Sequence, residues 1–357
     1  MLIYYIPLMI LFLGYMLSFY KSNFDELFFI TALIFVFIIT GFKGNIDPDF
    51  NNYKYYFDII PTYSELTDTN LELIRSKTSN VESGTIYYIA ILKSLGLNFA
   101  FFYIGISIIS TFLTYQIAKH FKSNKCIFLF CMLCFYVQSY FIISRFLIAI
   151  LSSILIILNF NKNKKIKLSD IFIFLIGSFF HSIIYLTIPL VVLFTFRKII
   201  IKYYSLILLL PIIISLIPIN YFYFLFSLIN ERYIFYINRD NPGQYFSFFY
   251  RELLLLLFYS YIFYYEKYRV SQSNYLNVTL AISMLMLLFS WSLSWQLDIL
   301  YRVTLTFDFG WILFFLIPYK NTYGKILIFS ILTFYCLFRY CIGVNELSNY
   351  TFNDIFL

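Results

Sequence analysis

Apolar residues run in long continuous stretches along the whole chain, and short polar segments separate them. A run of about 18 or more apolar residues is typical of a helix that spans a membrane. The runs do not alternate with polar residues, which excludes the strands of a membrane β-barrel. The pattern therefore predicts an all-α, polytopic membrane protein with about twelve spans in a single integral membrane domain, 1–357. We place these spans near residues 2–20, 27–42, 98–118, 126–143, 145–160, 168–182, 183–196, 203–228, 251–265, 275–296, 301–318 and 325–342.

Several of these stretches are shorter than the roughly 20 residues that a full crossing needs. Two pairs of short stretches meet at Arg145 and at His181. Irregular backbone at membrane depth is tolerated where it lines a cavity. We therefore expect the chain to turn inside a water-filled recess at both positions.

Composition agrees with a membrane protein, because 61% of the residues are hydrophobic and only 12% are charged. The formal charge of +8 does not indicate nucleic-acid binding, since the lysines lie in short loops between apolar runs, where membrane topology accounts for them. The lysine-rich loops near residues 119–125, 162–167 and 197–202 are typical of the cytoplasmic side. Twelve spans then place both termini, the segment 43–97 and the loop 229–250 on the outer side.

In this predicted topology, arginines and lysines lie mostly on opposite sides of the membrane. The topology places 13 of the 17 lysines on the cytoplasmic side and seven of the nine arginines on the outer side. The positive-inside rule treats the two residues alike and does not explain the difference. A guanidinium fork that grips phosphate or carboxylate does explain it, and a surface of exposed ion pairs is the alternative. The outer arginines are Arg75, Arg145, Arg232, Arg239, Arg251, Arg302 and Arg339.

The outer segment 43–97 contains polar and aromatic residues that could hold a sugar chain. Asp49 lies in a helix-breaking Asp-Pro-Asp sequence, and the aromatic residues that follow, Tyr53 among them, are spaced as in an amphipathic helix at the membrane interface. Glu82 and Tyr87 begin an apolar stretch that is too short to span, which indicates a re-entrant or interfacial helix. A simple membrane anchor is the alternative for this segment.

Four ionisable residues next to apolar runs are further candidates. Arg145 is either a phosphate ligand or a residue that reaches out to the interface, and His181 either moves a proton or makes an interhelical hydrogen bond. Asp298 and Arg302 are four residues apart, so they can pair on one helix face. The loop 229–250 is a candidate lid. The sequence has no phosphate-binding glycine loop, dinucleotide fingerprint or metal-spaced His/Cys cluster, so we expect no cofactor and no catalytic metal.

In order and spacing, these motifs resemble the EpsG-like branch of the Wzy-type O-antigen and capsule polymerases. The resemblance begins with Gly44, Asp47, Asp49 and Tyr53 and continues with Glu82, Gly84 and Tyr87, then Arg145, then Phe180, His181 and Ser182, then Arg302, and covers about residues 40–318. Lys43 and Phe146 depart from it, because an arginine is expected at the first position and a glutamine often occupies the second.

The resemblance implies a GT-C-like glycosyltransferase of the bacterial inner membrane. Such an enzyme joins undecaprenyl-pyrophosphate-linked repeat units at the outer or periplasmic face, in contact with membrane lipid and with a chain-length regulator as a further partner. Arg145 and Arg302 would then bind the donor pyrophosphate, and His181 would be the first choice of general base, with Asp49 or Glu82 as rivals. The expected substrate-binding residues are Tyr53, Tyr87, Arg232, Arg239, Arg251 and Asp298.

Two other functions fit the same residues. A ligase that transfers lipid-linked glycan to a different acceptor uses the same chemistry, and its loss leaves long chains unattached. A transporter or flippase of the lipid-linked unit traps material on the cytoplasmic side. Transporters often contain an internal repeat, and we find none in this sequence.

Overall fold

A computed structural model of the chain describes residues 2–45, 49–78, 81–121, 124–142, 144–196, 199, 202–203, 308–316, 322–345 and 347. All of the regular secondary structure in these residues is helical. The first six α-helices are α1 Tyr5–Ser18, α2 Asn23–Gly41, α3 Phe50–Ile59, α4 Asp68–Lys77, α5 Ser83–Ser94 and α6 Ala100–Ala118. The remaining helices are α7 Lys125–Phe135, α8 Val137–Phe141, α9 Ser144–Asn163, α10 Leu168–Phe180, α11 Thr187–Thr195, α12 Phe309–Leu316 and α13 Thr322–Asn345.

Three helices among the described residues are long and apolar enough to cross a membrane, and they are Asn23–Gly41, Ala100–Phe121 and Arg145–Asn163. Shorter apolar helices of 10–17 residues cover Leu2–Ser18, Lys125–Phe135, Leu168–Phe180, Ser182–Thr195 and Phe329–Asn345. A multi-pass helical membrane protein is therefore confirmed. The count of about twelve spans and the GT-C-like architecture stay predictions. The expected spans 203–228, 251–265 and 275–296 and the expected lid 229–250 lie outside the described residues, apart from residue 203.

The expected span 126–143 is interrupted, because α7 ends at Phe135 and the short α8 follows after Tyr136. The backbone leaves the helical region at Tyr136, where φ is −116° and ψ is 28°. The helices are interrupted at both positions where a turn was expected, and the water-filled recess stays a prediction. One helix ends at Phe141 before α9 begins, and another ends at Phe180 before an extended His181.

The chain divides into two compact units, Met1–Thr187 with Leu332–Leu357, and Ile188–Ile331. The expectation of a single membrane domain stays a prediction. In the first unit, α1 packs on α2, α2 on α6, α6 on α9 and α9 on α10, while α7 contacts both α1 and α2. Short polar side chains join some of these helices, since Thr114 shares a 2.8 Å hydrogen bond with Tyr140, and Thr187 donates one of 2.7 Å to Ser153.

Two aspartates cap helices at the end of this unit that carries the lysine-rich loops near residues 119–125 and 162–167. The Asp25 carboxylate is buried and accepts hydrogen bonds from the backbone N–H groups of Lys125 and Cys126, which begin α7. The Asp170 carboxylate accepts from the backbone N–H of Lys167 and from the Asn159 side chain. Each carboxylate satisfies N–H groups that have no partner within their own helix.

Helix α9 places Arg145 far from those loops. It has 20 residues, which at 1.5 Å per residue gives a length of about 30 Å, the thickness of the bilayer hydrocarbon. Arg145 lies in its first turn and Lys162 in its last. A polar site at the start of α9 and the lysines at its end therefore lie one membrane thickness apart.

Candidate active site

Arg145 is held by three side chains from the segment 43–97. Its Nη1 forms a 2.8 Å ion pair with Glu82 Oε2 and also donates to Thr85 Oγ1 at 3.3 Å, and its Nε donates to the Tyr53 hydroxyl at 2.9 Å. The guanidinium carbon lies 5.0 Å from the centre of the Tyr53 ring. The Arg145 side chain is only 15% exposed. The interpretation of Arg145 as a residue that simply reaches out into solvent does not describe this geometry.

Glu82 and Tyr53 reach Arg145 because of where their helices begin. Glu82 precedes α5, and its backbone carbonyl accepts from the Thr85 N–H at 3.0 Å. Its carboxylate makes no capping hydrogen bond to α5 and binds Arg145 instead. Tyr53 lies in the first turn of α3 with its side chain buried against Phe102 of α6, so α3 packs on protein at this residue.

Asp49 lies four residues before Tyr53 in the sequence. It precedes α3, and its carbonyl accepts from the Tyr53 N–H at 2.9 Å, so the two residues are one helical turn apart on the same face. Its carboxylate accepts from the Asn52 amide at 3.4 Å. Asp47 lies outside the described residues.

His181 lies at the same end of α9 as Arg145. Its ring makes an edge contact with Phe146, the residue after Arg145, with the ring centres 5.2 Å apart. Nδ1 accepts a 3.1 Å hydrogen bond from the Ile183 N–H. In a neutral imidazole one nitrogen accepts and the other carries the proton, so Nε2 is the donor in this arrangement.

Gly84, two residues after Glu82, lies where α5 meets the end of α10. An added Cβ at Gly84 would lie 2.3 Å from the carbonyl oxygen of Phe179, so only glycine permits this approach of α5 to α10. Arg75 of α4, another expected outer arginine, donates to the Ser83 hydroxyl beside Glu82. The start of α5 therefore gathers two arginines and a carboxylate next to the end of α10.

Lys43 belongs to this region although the sequence singled it out only as a departure from the family pattern. It is fully buried, and its Nζ donates to the carbonyl oxygens of Phe141 at 3.0 Å and Ile142 at 3.3 Å, at the end of α8. The same Nζ lies 4.5 Å from the centre of the Tyr103 ring. Lys43 thus donates hydrogen bonds to backbone carbonyls at the break before α9. The presence of a cation at this position of the family motif was the signal that the sequence offered.

Tyr87 lies apart from the Arg145 cluster. It lines a cavity of about 180 Å³ with residues from the start of α4 and the loop before it. The other expected residues, namely Arg232, Arg239, Arg251, Asp298 and Arg302, lie outside the described residues. Within the part of the chain that the structure describes, no group of three or more His, Cys, Asp or Glu side chains is placed to hold a metal ion.

The helices and the cluster define a class of protein, a multi-pass helical membrane protein with a partly buried arginine, carboxylate and tyrosine site at one end of a spanning helix. Such a site can bind an anionic group through the guanidinium and move a proton through a carboxylate. The chain belongs to the EpsG family, whose model matches residues 26–353 and which comprises exopolysaccharide and O-antigen polymerase-like proteins. No curated protein and no solved structure matches the chain.

Proposed function

We propose that the protein is a membrane glycosyltransferase that joins undecaprenyl-pyrophosphate-linked oligosaccharide repeat units into O-antigen, capsule or exopolysaccharide. The reaction takes place at the outer face of the bacterial inner membrane, where the donor glycan is transferred to an incoming lipid-linked unit. Membership of the EpsG family supports this class of reaction. The observation that carries the proposal is the partly buried Arg145, paired with Glu82 at the opposite end of α9 from Lys162.

Arg145 binds the pyrophosphate of the donor. The leaving group of the transfer is a lipid pyrophosphate, and negative charge develops on it as the glycosidic bond breaks. A planar guanidinium grips phosphate oxygens with two parallel hydrogen bonds and stabilises that charge. Arg302 is proposed as a second pyrophosphate ligand, with Arg232, Arg239 or Arg251 and Asp298 as further substrate-binding residues.

Glu82, which is paired with Arg145, is the general base that we favour here, with His181, the first choice from the sequence, and Asp49 as its rivals. In the structure the Glu82 carboxylate is paired with Arg145 Nη1 at 2.8 Å. When the pyrophosphate takes the guanidinium, Glu82 loses that partner and accepts the proton of the acceptor hydroxyl. Donor binding and base activation are then a single event.

His181 is a further candidate for the general base, as the family resemblance implies. Its Nδ1 accepts a hydrogen bond from the Ile183 N–H, so the neutral ring carries its proton on Nε2. Tyr53 holds the guanidinium through the hydrogen bond from Arg145 Nε.

The test is a deletion strain complemented with Arg145→Ala, Arg145→Lys, Glu82→Gln, His181→Ala and Arg302→Ala, read as a gel ladder of surface polysaccharide. We expect each alanine variant and Arg145→Lys to leave glycolipid with a single repeat unit, because lysine offers a point charge without the fork. The control is Lys54→Ala, an exposed cation next to Tyr53 on α3. Every variant is quantified by immunoblot of the membrane fraction.

Normal chain length in Arg145→Ala, Arg302→Ala and His181→Ala would exclude the proposed reaction. Long chains that remain unattached would identify a ligase. Lipid-linked units trapped on the cytoplasmic side would identify a transporter. These outcomes differ from the single-unit glycolipid that a polymerase defect leaves at the outer face.

A further inference from the structure

A cavity in the segment 43–97 lies apart from the Arg145 cluster. Its volume is about 180 Å³. It is lined by Tyr63, Leu66, Thr67, Asp68, Leu71 and Tyr87. A cavity of about 150 Å³ holds one benzene ring, so this one has room for a single six-membered ring.

The lining combines aromatic faces with one carboxylate. The rings of Tyr63 and Tyr87 lie 6.3 Å apart at an angle of 54°, which forms an open wedge. Tyrosine faces pack against apolar C–H surface while the hydroxyls remain available for hydrogen bonds. The Asp68 carboxylate is exposed at the cavity, and its two oxygens can accept hydrogen bonds from two adjacent hydroxyl groups of a ligand. The same negative charge disfavours a phosphate.

Hydrogen bonds hold the loop that carries Tyr63. The Thr62 backbone N–H and hydroxyl donate to the Glu65 carboxylate at 3.0 and 2.7 Å, and they lower the pKa of Glu65, which stays ionised at neutral pH. The Tyr63 N–H donates to Ser94 Oγ at 2.8 Å. The Lys93 ammonium donates to the carbonyl of Ile60 at 2.6 Å. The loop is thus joined to the end of α5, and a pocket formed in advance loses less entropy on binding.

Helix α5 connects this pocket to the Arg145 cluster. Glu82 and Thr85 contact Arg145, whereas Tyr87 lines the cavity. Thr85 and Tyr87 are two residues apart, so their side chains point in directions that differ by roughly 200° around the helix. Tyr87 lies about 8 Å along the axis from Glu82, which is a separation of one or two sugar rings.

We propose that the cavity between Tyr63, Tyr87 and Asp68 is a saccharide subsite that holds one sugar ring of the glycan away from the bond being formed. The identity of its ligand rests on the proposed function. A ring held there keeps the growing chain on the protein between additions, so the subsite sets chain length. The two tyrosines pack on the sugar ring, and Asp68 accepts hydrogen bonds from two of its hydroxyls.

The binding test uses the full-length protein in lipid nanodiscs, with the repeat-unit oligosaccharide released by mild acid from the cells' own surface polysaccharide as the probe. Isothermal titration gives Kd for the wild type, Asp68→Asn, Tyr87→Leu and the control Glu72→Gln, an exposed carboxylate on α4 that does not line the cavity. We expect Kd to rise about tenfold in Asp68→Asn and in Tyr87→Leu and to stay unchanged in Glu72→Gln. Absence of binding to the wild type, or equal Kd values in all four proteins, would overturn the subsite.

The cellular test separates the subsite from the catalytic reaction. In the deletion strain, we expect Asp68→Asn and Tyr87→Leu to give chains of several units that are shorter than the wild-type distribution, while Arg145→Ala gives a single unit. Wild-type chain length in both subsite variants would contradict the role in chain length. Normal chains in Arg145→Ala would contradict the catalytic proposal and leave the measured affinity of the subsite as an independent result.

Discussion

The guanidinium of Arg145 is stabilised by partners that lie far from it in the sequence. A charged side chain beside an apolar spanning helix is costly without a partner, and Glu82 and Tyr53 supply partners to Arg145 here. The two contacts use different nitrogens and therefore fix the plane of the fork as well as its position. A fixed plane is what bidentate phosphate binding requires.

Tyr53→Phe removes the hydroxyl that accepts from Arg145 Nε and keeps the ring. Hydrogen bonds to charged groups contribute about 1.5–3 kcal/mol, so we expect a lower midpoint of thermal unfolding for the detergent-solubilised protein. Tyr55→Phe on the same helix is the matched control, because Tyr55 is 47% exposed. Equal midpoints in the two variants would show that the hydroxyl contributes nothing to the cluster.

At the residue scale, the sequence identified most members of the cluster and none of their contacts. Arg145 was conspicuous because a charge beside an apolar run needs a partner, yet its partners are 63 and 92 residues away. The sequence did not identify Lys43 as a member of the site, because its hydrogen-bond partner is a backbone carbonyl at the end of α8, far away in the chain. The hydrogen bond at His181 Nδ1 depends on a local turn that periodicity does not reveal.

At the scale of elements, apolar runs predicted the helices well where the structure describes them. The structure adds the interruption at Tyr136, where neither proline nor glycine marks the end of α7. The structure also shows which helices α5 packs against, whereas the sequence indicated only the length of α5. Gly84 lies against the backbone of Phe179, and Tyr88 donates to the carbonyls of Phe101 and Phe102. Helix α5 is therefore joined to both α10 and α6.

Gly84→Ala places a methyl group 2.3 Å from Phe179 Cβ, so α5 and α10 have to separate. Overpacking of this kind costs about 1–3 kcal/mol, and we expect a lower unfolding midpoint together with shorter polysaccharide chains. Gly41→Ala is the control, since the nearest atom to its added Cβ is Ser107 Cβ at 3.4 Å. If both variants unfold at the wild-type temperature, the close approach at Gly84 has no energetic role.

At the scale of the whole molecule, α9 separates a lysine-rich end from an arginine-containing end by about one membrane thickness. Charge counting predicted this separation from the loops alone, because the positive-inside rule acts on short loops. The number of crossings was not testable in the same way, since residues 204–307 lie outside the described part of the chain. That the Arg145 cluster faces the outer side of the membrane therefore stays a prediction.

Single-cysteine labelling tests that direction. In a background with the native cysteines replaced, Glu72→Cys in the segment 43–97 and Lys165→Cys in the lysine-rich loop are both at exposed positions. We expect a membrane-impermeant maleimide to label Glu72→Cys in intact cells and Lys165→Cys only after permeabilisation. The reverse pattern would place the Arg145 cluster in the cytoplasm and contradict the proposed reaction.

The contact of Gly84 with Phe179 also constrains how the protein can move. Gly84 has no side chain, so the backbones of α5 and α10 are in close contact at Phe179. Because close-packed elements cannot be compressed, a tilt of one helix would displace the other. Glu82 precedes α5 and His181 follows α10, so a change in the tilt of either helix would alter the positions of both residues. We therefore expect substrate entry to leave the contact between α5 and α10 in place.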